Sequence, residues 1–116
     1  MNYTLENGLP EGFFYPIEFV RIIEQELTNL TPWMILNNDL LTVRLKGLKT
    51  RYPERNLLPF AQRIDNDDIA CFDIDKVNSV VVIHDFASNG WEKRKVFVSF
   101  WDWFKQAIND LIEYDY

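Results

Sequence analysis

Four short runs of β-branched and aromatic residues fill the second half of the chain. They are NLLPFAQRI (56–64), DIACFDI (68–74), SVVVIHDF (79–86) and KRKVFVSF (93–100). Runs of this kind favour strands, and they are separated by turn-forming segments, including the strong turn dipeptide Asn89-Gly90. The order therefore predicts an antiparallel meander. The continuous VVVI at 80–83 predicts a central strand that is covered on both faces.

Amphipathic patterns on both sides of these runs predict two helices. In 16–30, Pro16 suits the first helical turn, and the spacing of apolar residues predicts one buried stripe: Phe19, Val20, Ile23, Leu27 and Leu30. Near the end of the chain, Ser99 and Asp102 resemble a capping box. The following helix would bury Phe100, Phe104, Ala107, Ile108 and Leu111, with Trp101 and Trp103 filling the angle between helix and sheet.

The remaining segments are less regular. TPWMIL (31–36) suggests a short strand, and 38–53 favours a helix that is capped by Asn38 or Asp39 and ended by Pro53. Residues 1–15 are predicted to be an irregular leader, with Phe13, Phe14 and Tyr15 held against the body. The chain is thus predicted to be one α+β domain spanning 1–116. Its antiparallel sheet of about four strands (residues 56–100) packs against an N-terminal helix (16–30) and a C-terminal helix (100–114).

Composition excludes several classes of function. A formal net charge of −6 argues against a general nucleic-acid binder, because phosphate affinity comes mainly from Lys and Arg. The first residues lack the pattern of a signal peptide, and no apolar stretch is long enough to span a bilayer. The single cysteine, Cys71, excludes an internal disulfide and a cysteine-based zinc cluster. We therefore expect a cytoplasmic protein without a membrane or nucleic-acid partner and without a cofactor.

The charges are unevenly distributed along the chain. From Arg44 to Arg63 there are six basic residues and one acid, Glu54, whereas Asp65 to Asp75 contains five aspartates and no base. Such blocks can steer a charged partner, or they can be two faces that neutralise each other. The aspartates are therefore the first candidates for function: Asp65, Asp67, Asp68, Asp73 and Asp75.

The spacing of these aspartates does not match a calcium loop. An EF-hand loop that starts at Asp65 would need Gly at its sixth position and Glu at its twelfth, where the chain has Ala70 and Lys76. A looser magnesium site remains open, since Asp73 and Asp75 would lie on the same face of one strand. In that strand, Ala70, Phe72 and Ile74 are predicted to face the core, with Cys71, Asp73 and Asp75 facing outwards.

Signals for nucleophilic catalysis are weak. His84 is the only histidine, Cys71 is the only thiol, and no glycine-rich elbow or phosphate-binding loop is present. The pair His84-Asp85 at the end of a strand is more typical of a structural or surface pair. A small metal-dependent hydrolase that uses Asp73 and Asp75 is thus a minority hypothesis.

The order of motifs in the second half resembles the SUKH superfamily, which includes fungal Smi/Knr cell-wall-assembly regulators and many bacterial immunity proteins. Leu58-Pro59-Phe60-Ala61 matches its first strand motif, Asp65 to Asp68 its acidic turn, and Phe72-Asp73 its next strand. Ser99, Phe100, Trp103 and Phe104 match the start of its last helix. The resemblance covers about 57–108. The segment TRYPER departs from the family, which often has a glycine-containing turn there.

The resemblance implies a non-enzymatic domain that acts by binding. One role would be an immunity protein that neutralises a cognate toxin, often a nuclease with a basic surface; the alternative is an intracellular scaffold or regulatory module. The predicted contact residues are the five aspartates together with Asp85 and Trp91 near the next turn. A homodimer formed through an exposed strand edge is a further alternative.

Overall fold

Six antiparallel strands form one sheet, and each strand pairs with the next one along the chain. The computed structural model describes residues 2–5 and 7–115. The strands are β1 (Asn29–Leu30), β2 (Trp33–Ile35), β3 (Leu57–Arg63), β4 (Asp68–Asp73), β5 (Val80–His84) and β6 (Lys93–Phe97). The helices are α1 (Ile17–Glu24), α2 (Asn38–Arg51) and α3 (Phe100–Glu113). The predicted α+β class and the helices on both sides of the strand-rich segment are confirmed. The prediction of about four strands is wrong, because β1 and β2 pair onto β3 and extend the sheet to six strands among the described residues.

The sheet carries a hydrophobic core on each face because side chains alternate along its strands. On one face, α1 and α3 cover a cluster that includes Phe60, Phe72, Val80 and Val82. On the other face, Leu48 and Tyr52 from the end of α2 cover a smaller cluster: Leu57, Ile69, Cys71, Val81 and Ile83. The expected covering of the central strand on both faces is therefore confirmed. The outward position predicted for Cys71 is wrong, because α2 lies over that face.

Helix α1 is shorter than predicted. It ends at Glu24, after which Glu26 adopts a positive φ of 60°. The backbone N–H groups of Leu27 and Glu26 then donate to the carbonyls of Ile22 and Ile23, which is the pattern of a Schellman motif. The predicted stripe is accordingly wrong in part. Within the stripe, Phe19 is buried in α1, Leu27 is exposed and Leu30 is buried as part of β1. Ile22, which lies outside the predicted stripe, is the second buried residue of α1.

The segment 31–55 follows its predicted elements closely. β2 occupies 33–35, and α2 begins one residue earlier than expected, because the Asn37 side chain accepts a hydrogen bond from the Leu40 N–H at 3.1 Å. At the start of α3, the Ser99 hydroxyl accepts from the Asp102 N–H at 3.2 Å, as the capping pattern predicts. Trp103 is buried in the core with Phe100 and Ala107, and its ring packs edge-on against Trp33.

The leader has no helix or strand among its described residues before Ile17. Its aromatic residues nevertheless differ in burial. The rings of Phe13 and Tyr15 contact the ring of Phe72 at centroid distances of 5.8 and 5.9 Å, and Tyr15 also stacks on Phe19. Phe14 was expected to pack against the body together with them, but it is 86% exposed.

Candidate functional site

Residues 64–67, which include Asp65 and Asp67, connect β3 to β4 as a hairpin turn. Asp65, Asn66 and Asp67 are exposed, and the Asn66 side chain accepts a hydrogen bond from the Asp68 N–H at 2.8 Å. Arg63 donates two parallel hydrogen bonds to the Asp65 carboxylate, at 2.8 and 2.9 Å. These bonds from Arg63 lower the pKa of Asp65 from its ordinary value. The turn is thus held from within by its own side chains.

Asp68 begins β4 and forms a cluster with His84 and Arg94. Its Oδ1 accepts a hydrogen bond from Arg94 Nε at 3.1 Å and lies 3.2 Å from His84 Nδ1. Arg94 Nη2 is also 3.1 Å from His84 Nδ1. Asp68 is therefore paired within the chain, whereas the Asp67 side chain takes part in none of the ion pairs seen among residues 2–5 and 7–115.

The loop 85–92 lies at the same end of the sheet as the hairpin turn, because Asp68 pairs with His84 in the register of β4 and β5. The two turns are joined directly, since the Asp85 N–H donates to the Asp67 carbonyl at 2.9 Å. Trp91 lies on this loop and is 83% exposed. The structure therefore presents two of the predicted contact residues, Asp67 and Trp91, on two connected turns.

Asp85 was predicted to flank the acidic turn as a surface residue, and the structure overturns this. Its side chain is fully buried, and Arg51 binds both carboxylate oxygens while Arg44 Nη2 lies 3.5 Å from Oδ2. Phe86 follows with a positive φ of 68°, and its exposed ring lies 4.0 Å from the Arg51 guanidinium carbon. Asp85 therefore fixes the loop to α2 and is not available to a partner in this conformation.

Glu92 is a second buried acid of the loop, and the sequence did not single it out. Its carboxylate accepts hydrogen bonds from the Arg55 guanidinium and, at 2.7 Å, from the Gly90 N–H. Burial raises the pKa of Glu92, but hydrogen bonds from its own backbone, Arg55 and Gly90 outweigh this and lower it. The arginines of the basic block thus neutralise mainly Asp85 and Glu92, and within the acidic block only Asp65 is paired with one of them, Arg63.

Asp73 and Asp75 lie at the opposite end of β4 from the hairpin turn. Asp73 lies five positions after Asp68, which is about 16 Å along a strand. The strand ends at Asp73 and Asp75 lies in the following turn, so the prediction that both share one strand face is wrong. Asp73 Oδ1 instead accepts the Asp75 N–H at 3.0 Å. No group of three potential metal ligands comes together in the part of the chain that the structure describes.

Comparison of the chain with protein-family models, with curated proteins and with solved structures finds no match in any of the three. The resemblance to the SUKH superfamily thus remains a prediction from the motifs quoted above. Among the described residues, none of the helices combines the length and the apolar character needed to cross a membrane.

Proposed function

We propose that this chain is a non-enzymatic protein-binding domain, an immunity-type protein of the cytoplasm that neutralises a cognate toxin by direct contact. The order of its motifs, which resembles that of the SUKH superfamily, supports this role. The observation that carries the proposal is the arrangement of the two turns. Asp67 and Trp91 are exposed on turns that are hydrogen-bonded to each other through the Asp85 N–H.

This arrangement suits recognition of a basic protein surface. The exposed carboxylate of Asp67 and the net charge of −6 would speed association with a cationic partner such as a nuclease. An exposed tryptophan supplies a large apolar anchor, and tryptophan is enriched among the residues that contribute most to interface affinity. The ion pairs of Asp65 and Asp68 hold the turn in place before binding, which reduces the entropy lost on association.

The direct test is a co-expression assay. A large neighbouring reading frame with a basic C-terminal domain would supply the candidate toxin domain, which is expressed alone or together with this chain while growth is measured. We expect the domain alone to stop growth and the intact chain to restore it, with a stable complex recovered by pull-down. Persistent toxicity without a complex would refute the immunity role. A phenotype on deleting the gene in cells without any toxin would favour the scaffold alternative.

Matched variants test whether the two turns are needed for protection. Asp67→Lys together with Trp91→Ala should abolish protection, because the first reverses the free charge and the second removes the anchor. Asp39→Lys is the control, since it makes the same charge change at an exposed position in the first turn of α2. It lies twelve residues before Arg51, roughly 18 Å along the helix. The variants of Asp67 and Trp91 should unfold at the temperature of the wild type. Asp39→Lys should unfold at a slightly lower temperature, because it places a cation at the N-terminus of α2, and should still protect fully.

A further inference from the structure

The end of the sheet opposite the hairpin turn carries a second surface with unusual exposure of apolar side chains. Phe14 is 86% exposed, Val77 is 88% exposed and Val98 is 80% exposed. Phe14 and Val77 line a cavity of about 310 Å³, and Val98 lines a neighbouring cavity of about 190 Å³. Pro16 and Asn78 line both cavities, so the two cavities are adjacent, and the region that Phe14, Val77 and Val98 form around them is here called the Phe14 surface.

The backbone around Phe14 fixes its outward position. Phe13 and Tyr15 on either side are held by ring contacts with each other at 5.4 Å and with the buried Phe72. The Phe13 N–H also donates to the Pro10 carbonyl, closing a turn in which Gly12 has a φ of 78°. Because its two neighbours point into the core, Phe14 must point away from it. Its exposure is therefore imposed by ordered structure.

The positions of Val77 and Val98 are fixed in a similar way. Val77 lies in the turn closed by the Ser79 N–H donating to the Lys76 carbonyl at 3.0 Å, with Asn78 at a φ of 65°. Val98 stands between the buried Phe97 and Ser99, the N-cap of α3. An apolar surface built from such fixed elements loses little conformational entropy when it is covered, which favours binding. Exposed apolar patches of this kind often mark interaction sites.

The charged residues that line the two cavities are all acidic. Glu11 and Asp73 line the larger cavity and Glu18 lines the smaller one, whereas neither has a lysine or arginine in its lining. Asp75 adjoins Asp73, to which its N–H donates at 3.0 Å, and Lys76 is the one base in the adjacent turn. This acidic rim disfavours nucleic acid and anionic lipid headgroups as occupants, since both would be repelled.

We propose that the Phe14 surface is a docking site for a protein segment that carries apolar side chains between lysines or arginines. The apolar side chains would cover Phe14, Val77 and Val98, while the flanking cations pair with the carboxylates of the rim. This goes beyond the proposed function, because it concerns a different end of the molecule and holds whether or not a toxin is the partner. The rival occupant is a second copy of this chain, whose β6 bears Lys93, Arg94, Lys95 and the exposed Val96.

The experiment is an NMR titration of the isotope-labelled full chain with the capped peptide Arg-Lys-Leu-Phe-Lys-Arg. Two control peptides replace either Leu-Phe by Ser-Ser or all four bases by Glu. We expect saturable shifts at the amides of Gly12, Phe14, Val77 and Val98 with a dissociation constant of about 1 mM, and about tenfold weaker binding for either control peptide. Sedimentation of the unlabelled chain at the same concentration should show a monomer.

Substitutions in the chain test whether the peptide binds at the Phe14 surface. Phe14→Ser combined with Val77→Ser should weaken binding of the peptide by about tenfold. Asp73→Asn should also weaken binding, although it keeps the side-chain oxygen that accepts the Asp75 N–H. Ile112→Ser, an exposed apolar site on α3, should bind like the wild type. The proposal is overturned by absent or unsaturable shifts, by shifts confined to the hairpin turn, by equal binding of the control peptides, or by self-association through this surface.

Discussion

Arg51 binds the buried carboxylate of Asp85 through two parallel hydrogen bonds, from Nε to Oδ1 at 2.7 Å and from Nη2 to Oδ2 at 2.6 Å. The pair joins the last residue of α2 to the loop that carries Trp91, thirty-four positions along the chain. Tyr52 strengthens the same junction, because its hydroxyl donates to the Ala87 carbonyl at 2.8 Å. This junction therefore helps to hold in place the two turns that we propose bind a partner.

Asp85→Asn should destabilise the domain strongly. The amide keeps the size of the side chain but loses the charge that compensates Arg51 and Arg44. We expect the free energy of unfolding to fall by about 3 kcal/mol, measured by urea denaturation. The exposed Asp39→Asn serves as control and should lower it by less than about 1 kcal/mol, because it removes only a favourable charge at the N-terminus of α2. A loss below about 1 kcal/mol for Asp85→Asn would contradict a structural role for the pair.

Gly47→Ala tests whether the Arg51 guanidinium is held in one position. Alanine normally stabilises a helix interior by about 1 kcal/mol over glycine. Here the added Cβ would lie 2.5 Å from Arg51 Nη2, so the guanidinium would have to shift away from Asp85. We expect Gly47→Ala to leave the free energy of unfolding of the wild type unchanged. In the Asp85→Ala background, where Arg51 is free to move, Gly47→Ala should raise it by about 1 kcal/mol. Equal effects in both backgrounds would show that the two sites are not coupled.

Glu92 should make the domain sensitive to acid. Its pKa is lowered in the folded state, so its stabilisation is fully present above the unfolded pKa of about 4.3 and is lost as the pH falls through the folded pKa. Glu92→Gln should therefore be less stable than the wild type at pH 7, with the difference shrinking as the pH falls below about 4. Urea denaturation at stepped pH measures this. A difference in stability that stays constant with pH would show that the titration of Glu92 does not contribute to the acid sensitivity of the domain.

Cys71 should be inert until the domain unfolds. The thiol is fully buried between β4 and α2, and burial raises its pKa. Alkylation in native buffer should proceed only through the small unfolded population and should accelerate steeply in urea. Rapid labelling in the absence of denaturant would mean that α2 opens locally. The face of the sheet that α2 covers would then be the least stable part of the fold.

Much of the fold was predictable because its long elements have strong local patterns. The strands β3 to β6 and the cap at Ser99 could be identified from the sequence. β1 has only two residues, too few to show any periodicity. The end of α1 was missed because Glu26 occupies the left-handed position where glycine usually marks a helix end.

The site was less predictable because it depends on contacts between distant residues. The carboxylate of Asp85 looks like a surface charge in sequence, and only its pairing with Arg51 of α2 makes its burial tolerable. Likewise, the sequence does not distinguish Phe14 from the aromatic residues on either side of it. Phe14 points outwards only because Phe13 and Tyr15 both pack against the buried Phe72. The hairpin turn itself was foreseen, since consecutive polar residues between two strands need no distant partner.

The most direct test of the proposed function is the association rate between this chain and a candidate toxin domain that passes the co-expression assay, measured by stopped flow at low and high salt. Asp67→Lys should slow association by about tenfold at low salt, with the effect shrinking at high salt, while Trp91→Ala should mainly accelerate dissociation. Asp39→Lys should leave both rates unchanged. Wild-type rates in both the Asp67→Lys and Trp91→Ala variants would contradict the proposal that these two turns form the contact.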